Sequence, residues 1–262
     1  MPDTLIVIPC FNEADRLPGD ELLKFARQHR GLGFILVNDG STDATGEQLD
    51  ALHDQLPQRF TALHLPENLG KAGAVRAGFL AAFAQGCQAV GFWDADLATP
   101  LAEINHFLTM LAQSRCQMVL GARVRLLGRR IERLAARHYL GRIFATLASF
   151  VLGLTIYDTQ CGAKLFANTP TLRRVFARPF TVNWIFDVEL MARFILIARQ
   201  ETGGRLEEIA CERPLEQWLD VPGSKLKAAD FLRAIYELAQ IWALLHGPGR
   251  QRYYQQLTEK TK

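Results

Sequence analysis

Apolar residues in this chain fall in short runs, each ending abruptly in polar residues. Thr4 to Pro9 (TLIVIP) is a continuous run of β-formers that gives way to Asn12-Glu13, the pattern of a strand covered on both faces. Phe34 to Val37 repeats it and closes on Asn38-Asp39-Gly40-Ser41-Thr42-Asp43. A helix is predicted between them, from about Asp20 to His29, and a second after Asp43, capped by Thr42 or Asp43 and ending near Leu56. Thr61 to Leu65 is a weaker strand, followed by the glycine-bearing loop Asn68-Leu69-Gly70-Lys71-Ala72-Gly73 and a helix of small residues from Ala74 to Ala84. Ala89 to Trp93 reads as a buried strand that runs straight into Asp94-Ala95-Asp96. Thr99-Pro100 offers an N-cap and an N1 proline for a helix reaching Gln113, and Gln117 to Leu120 is a further strand.

Strand and helix alternate through the first 120 residues with short connections, which predicts a mostly parallel sheet with helices on both faces. Three polar clusters, Asn12/Glu13, Asn38/Asp39 and Asp94/Asp96, then line one edge of that sheet. Side chains at i and i+2 of an extended segment point the same way, so Asp94 and Asp96 converge. Two such carboxylates suit Mg²⁺ or Mn²⁺ shared with substrate phosphates, and a solvated turn is the alternative. Beyond Gly121 the alternation stops. Arg123 to Tyr157 passes from charged into apolar residues as a helix, and Asp158-Thr159-Gln160-Cys161-Gly162 interrupts it. Trp184 to Ala198 reads as a buried helix with Asp187 and Glu189 near its start, serving either the helix dipole or a site. Leu206 to Cys211 is a final strand and Pro222-Gly223-Ser224-Lys225 a flexible loop. Ala228 to His246 is an amphipathic helix whose Phe231, Ile235, Leu238, Trp242 and Leu245 face the core, or else a membrane or a second subunit. The tail from Gly247 is polar and predicted to be loose.

Composition changes this picture in three places. With 262 residues, 49% of them hydrophobic and 22% charged, the chain buries one large core. The net charge of +3 gives no case for nucleic acid, but between Gly121 and Arg142 seven arginines (Arg123, Arg125, Arg129, Arg130, Arg133, Arg137, Arg142) face the single acid Glu132, so this segment expects an anionic partner. Five scattered cysteines without a C-x-x-C pair suggest neither a disulfide framework nor zinc and fit a reducing cytosol. Met1-Pro2-Asp3 has no basic n-region, arguing against a secretory signal. Ile143 to Tyr157, the longest uncharged apolar stretch, is shorter than the roughly 18 residues of a spanning helix.

Four separated motifs, Ile8-Pro9-Cys10-Phe11-Asn12-Glu13, Val37-Asn38-Asp39-Gly40-Ser41-Thr42-Asp43, Asn68-Leu69-Gly70-Lys71 and Asp94-Ala95-Asp96, resemble in order and spacing the donor half of family 2 glycosyltransferases. Gly121-Ala122-Arg123, Asp158 to Phe166, Phe186-Asp187-Val188-Glu189-Leu190 and Gly223-Ser224-Lys225-Leu226 resemble the dolichyl-phosphate β-glucosyltransferase branch, kin of the dolichol-phosphate mannose synthases. Asn38 stands where the family usually has Asp, Cys10-Phe11 where Thr-Tyr or Ala-Tyr is common, and Ala163 where Phe is usual. The resemblance implies a GT-A fold, Rossmann-like with a mostly parallel central sheet, as one catalytic domain over residues 1–246. Within it, 1–120 would be the donor half and 121–246 the acceptor half with interfacial helices; 247–262 is the polar tail. It further implies transfer of a hexose, glucose from UDP-glucose, to a polyprenyl phosphate such as dolichyl or undecaprenyl phosphate, with inversion to a β-linkage. Asp94 and Asp96 would hold Mg²⁺ or Mn²⁺ across the diphosphate. Lys225 would close over the same phosphates, Asp39 would take the base, and Pro9 and Glu13 would line the nucleoside. Lys71 would approach the donor or else remain a solvated lysine. Arg123 and Arg137 would grip the acceptor phosphate, since the planar guanidinium matches phosphate oxygens bidentately. Asp158 would orient the acceptor or the sugar. Arg129, Arg130, Arg133 and Arg142 would face anionic headgroups, placing the protein peripherally on the cytoplasmic face of a membrane. Two other functions fit these residues, a family 2 transferase with a soluble or polysaccharide acceptor and a non-catalytic nucleotide-sugar or lipid-binding module. The sugar, the nucleotide and the oligomeric state stay open at this point.

Overall fold

The computed structural model describes residues 2–114, 116–132, 135–201, 203–219 and 228–259, and the side chains of all of these but 135–139 and 228–231. Its strands are β1 (Thr4–Cys10), β2 (Leu32–Asn38), β3 (Phe60–His64), β4 (Ala89–Trp93), β5 (Met118–Ala122), β6 (Arg130–Glu132), β7 (Ala163–Ala167), β8 (Ala210–Pro214) and β9 (Gln217–Leu219). Its helices are α1 (Gly19–Gln28), α2 (Thr45–Gln55), α3 (Gly70–Ala84), α4 (Glu103–Gln113), α5 (Ala135–Leu152), α6 (Pro170–Ala177), α7 (Phe186–Glu201), α8 (Ala228–His246) and α9 (Arg250–Thr258). Among the described residues, seven strands form one sheet in the order β3-β2-β1-β4-β7-β5-β8, and β6 pairs with β9 apart from it. Every pairing in the large sheet is parallel except those of β7, which runs antiparallel to both β4 and β5.

The apolar runs are strands because both faces of the sheet are covered. Along β1, Leu5 and Val7 enter one core with α3, α6, α7 and α8, while Ile6 and Ile8 enter the other with α1, α2 and α4. The first core is aromatic at its centre, where Phe79 of α3 stacks on Phe176 of α6 at 4.0 Å. The small residues of α3 let it lie close on the strands: a Cβ at Gly78 would stand 2.3 Å from Val7 Cγ1.

Several boundaries differ from the sequence-based expectation. α3 begins at Gly70, so Lys71 sits in its first turn rather than in a loop. α4 begins at Glu103, not at Thr99-Pro100, because the Thr99 carbonyl is taken by the buried Trp93 indole and residues 100–102 form a turn. At the start of α2 the capping residue is Ala44, and Asp43 lies one position earlier, still accepting from the N–H and hydroxyl of Thr45. The last sheet strand is Ala210–Pro214, preceded by a 3₁₀ turn at Leu206–Glu208. The tail is helical: in α9, Leu257 is buried and the Tyr253 hydroxyl donates to buried Glu189. On α8 the expected core stripe is split. Leu238 and Leu245 are buried with Ala234 and Ile241, whereas Ile235 and Trp242 are exposed, and the Phe231 side chain lies outside the described residues. Cys116 and Cys211 are joined as a disulfide, against the expectation of none, because the β5–β8 pairing brings a residue just before β5 beside one on β8.

Candidate active site

Because β1, β2, β4 and β5 run parallel and β7 runs opposite, the C-terminal ends of four strands and the N-terminal end of β7 share one edge of the sheet. Pro9, Glu13, Asp39, Asp94, Asp96, Arg123 and Asp158 all fall there. A ligand at such an edge meets loops rather than regular structure.

These loops are laced to one another. Asn12, at φ 52°, donates its N–H to Ser41 Oγ and accepts from Thr42 N–H, while Glu13 N–H donates to Thr45 Oγ1. The Glu13 carboxylate takes Arg16 Nη2 at 2.6 Å. Buried Asp39 accepts from Leu69 N–H at 2.8 Å, tying the end of β2 to the start of α3. Burial pushes the Asp39 carboxyl above its ordinary range, against the lowering effect of the Leu69 and Gly70 N–H groups. Gly40, at φ +65°, permits this closeness, since a Cβ there would lie 2.6 Å from Asn68 N. Asn38, the departure from the family pattern, faces its own loop: its Oδ1 accepts from Ser41 N–H and its Nδ2 lies 3.1 Å from His64 Nδ1.

Asp94 and Asp96 feel each other's charge, though they are not placed by strand alternation. β4 ends at Trp93, and Asp94 opens a turn in which Leu97 N–H donates to its carbonyl and Asp96 Oδ1 accepts from Ala98 N–H. Burial, and then the charge of Asp94, raise the Asp96 carboxyl, so the two acids share one field. Lys71 Nζ reaches Asp94 Oδ1 at 2.5 Å. The Lys71 side chain is exposed, and partial desolvation lowers its ammonium less than Asp94, Asp187 and Asp96 raise it, so it stands above its usual value. Behind Asp94 stands Gly162, whose carbonyl accepts the Asp94 N–H and whose missing Cβ would fall 1.8 Å from Asp94 Oδ2.

Arg123 follows β5 and forks onto Asp158 through Nε at 2.6 Å and Nη2 at 2.8 Å, with its backbone N–H on the same carboxylate. Burial would lower this guanidinium and Asp158 more than restores it. Its other side lies 5.3 Å from the centre of the Trp218 ring. Asp158 is set in turn by Glu212 of β8, whose carboxylate accepts from the N–H groups of Tyr157 and Asp158. The sequence assigned no role to Glu212, Gly162 or buried Lys164, although the last two fall in the Asp158 to Phe166 motif; a lysine inside an otherwise apolar run was the further signal.

The remaining arginines are not an array of free cations. Arg129 pairs with Glu216, Arg130 with Glu132, and Arg142 donates to the Tyr157 carbonyl while its guanidinium lies 3.9 Å from the Tyr157 ring centre. Two of the arginines expected to face headgroups therefore already have an acid partner, Arg129 in Glu216 from far along the chain and Arg130 in Glu132 two residues away. Arg133, the Arg137 side chain and Lys225 lie outside the described residues.

Among the described residues no three His, Cys, Asp or Glu side chains gather as a metal cage. Two hard carboxylates in one field with an ammonium alongside are a different donor set, one that suits a divalent cation completed by ligand phosphates.

Residues 5–171 match the model of glycosyl transferase family 2. The chain is 33% identical to a dolichyl-phosphate beta-glucosyltransferase of Saccharomyces cerevisiae over 242 residues, covering 86% of this chain and 69% of that protein. It is 31% identical to the Dictyostelium discoideum protein of the same name over 237 residues, covering 84% and 68%. Among solved structures, Mycobacterium tuberculosis glucosyl-3-phosphoglycerate synthase in complex with Mn²⁺, UDP-glucose and phosphoglyceric acid superimposes with a TM-score of 0.63 at 17% identity, covering 92% of this chain and 80% of that one.

Proposed function

The chain belongs to glycosyl transferase family 2 and has the GT-A fold, and from that premise we propose that it moves glucose from UDP-glucose to a polyprenyl phosphate at the cytoplasmic face of a membrane. The observation that carries this reading is α5. Its Leu140, Ile143, Leu147 and Phe150 are exposed along one side, while Phe144, Ala145, Ala148 and Leu152 are buried on the other. The same helix leads within six residues to Asp158 and the Arg123 fork. A greasy surface beside a partly exposed guanidinium suits an acceptor that is both lipid and anion. α8 packs against α5 and adds exposed Leu232, Ile235, Tyr236 and Trp242.

The chemistry asked of the site is modest. A phosphate monoester has its second pKa at about 6, so the acceptor is already largely a nucleophile at neutral pH. Arg123, fixed by Asp158, would orient it, and the Arg137 backbone lies on α5 nearby in sequence. The leaving diphosphate needs its growing charge met, and Lys71 stands at Asp94 to do so. Asp94 and Asp96 would hold Mg²⁺ or Mn²⁺, which as a Lewis acid supplies charge neutralisation on the diphosphate. Asp39, with Pro9 and Glu13 beside it, would take the base, and Lys225 would add a cation over the phosphates. One in-line displacement inverts the anomeric centre and gives a β-linked product.

Purified protein with UDP-glucose, Mn²⁺ and either undecaprenyl phosphate or phosphoglyceric acid, products read by mass, tests the proposal. A hexose added to the lipid, and lost in Asp94→Asn, is expected. Transfer to the soluble acid alone would assign the protein to water-soluble acceptors, and donor binding without transfer would make it a binding module.

A further inference from the structure

Lys164 is a charge in an unusual place. It lies on β7, paired across the sheet with Phe92 on one side and Leu120 on the other, and has no solvent exposure. Its ammonium donates to the Cys161 carbonyl at 2.6 Å and to Asp187 Oδ1 at 2.5 Å, and lies 5.1 Å from the centre of the Phe92 ring. Asp187, in the first turn of α7, is itself buried. Such a pair is a poor stabiliser, because desolvating both charges offsets their attraction and an apolar pair of similar volume often does as well. What the pair does hold is position. The Cys161 carbonyl belongs to the turn that ends at Gly162, and Gly162 in turn accepts the Asp94 N–H at 3.0 Å and packs against the Asp94 carboxylate.

We propose that Lys164 is a positioning residue: by bridging the Cys161 carbonyl and Asp187 it fixes the Cys161–Gly162 turn against Asp94, and so sets the donor-side carboxylate without touching substrate. The inference rests on the reading of Asp94 as the diphosphate-side residue, but its test does not need turnover. In the double variant Lys164→Met/Asp187→Leu the charges leave together, so the thermal midpoint stays near that of the parent. Amide hydrogen exchange at Asp94 should then quicken about tenfold, the equivalent of one backbone hydrogen bond, while Ile6 to Ile8 of β1 keep their protection. In the transfer assay the same variant should lose kcat with little change in donor KM. Asp94 exchange equal to the parent's would overturn the proposal, and so would full turnover. Should the double variant fail to fold, Asp187→Asn keeps the shape and weakens the bridge, and the same exchange readout decides. A parent protein without transferase activity would instead refute the proposed function, leaving the exchange result readable.

Discussion

Gly162 has room for a hydrogen and nothing larger. In Gly162→Ala the new methyl would collide with Asp94 Oδ2; moving the turn is expected to lower stability by about 1–3 kcal/mol. A displacement near 1 Å at the reacting group lowers kcat about a hundredfold. Denaturant titration and steady-state transfer would measure the two losses, and a fully active Gly162→Ala would remove Asp94 from the site. Asp39 makes the opposite prediction. Its carboxyl is raised by burial, so at neutral pH the ionised form opposes folding, and that penalty fades as pH falls through the folded-state pKa. Asp39→Asn keeps an acceptor for Leu69 N–H and should raise the thermal midpoint at pH 7 by a few degrees while weakening UDP binding; the gain should shrink at acid pH. Calorimetry across pH, with UDP titrations, checks both. At this scale the carboxylates and Arg123 were legible because they punctuate apolar runs. The roles of their partners were not: Gly162 and Lys164 share a motif with Asp158, but only the fold ties them to Asp94, and Glu212 reaches Asp158 from a strand far along the chain.

At the scale of elements, β1, β2 and β4 could be read because each is a nearly continuous apolar run with turn residues at its end, and the weaker β3, FTALH, because it falls between two helices in the alternation. β7 was hidden, since Ala163–Ala167 is short and carries a charge at its second position. α9 was hidden because its sequence is polar and its place depends on two side chains, Tyr253 and Leu257. α8 was found with its bounds, but its 4-3-4-3 stripe runs along the border between the buried and exposed faces, and Glu237 occupies the buried one. That carboxylate accepts from the N–H groups of Trp184 and Ile185 just before α7 and pairs with Arg233. Replacing it with alanine leaves two helix-entry donors unmet, and the expected loss is about 1–3 kcal/mol in a urea midpoint series. A change under a few tenths would show that water replaces the carboxylate and that α8 does not hold the start of α7.

At the scale of the molecule, α5 and α8 pack together and each carries exposed apolar side chains, and no described helix is long and apolar enough to cross a membrane. With Arg129 and Arg130 matched by acids, attachment to vesicles should rest more on apolar contact than on charge. Phe150, 81% exposed, contributes about 1.5–3 kcal/mol if it enters lipid. Phe150→Glu should therefore abolish flotation with anionic vesicles, while raised salt only weakens it. Flotation unaffected by Phe150→Glu would move the contact elsewhere. The position of β7 has a further consequence, for the order of events during synthesis. β4 and β5 leave the ribosome well before the strand that must lie between them, and until residue 167 is made they have no native neighbour on their facing edges. Late, non-local closure of this kind slows folding and leaves open edges for mispairing. A fragment ending at Glu132 should accordingly unfold without cooperativity. Asp94, whose N–H waits for Gly162, would be among the last residues of the sheet edge to be secured, so the nascent chain acquires its chemistry only after its centre has been closed.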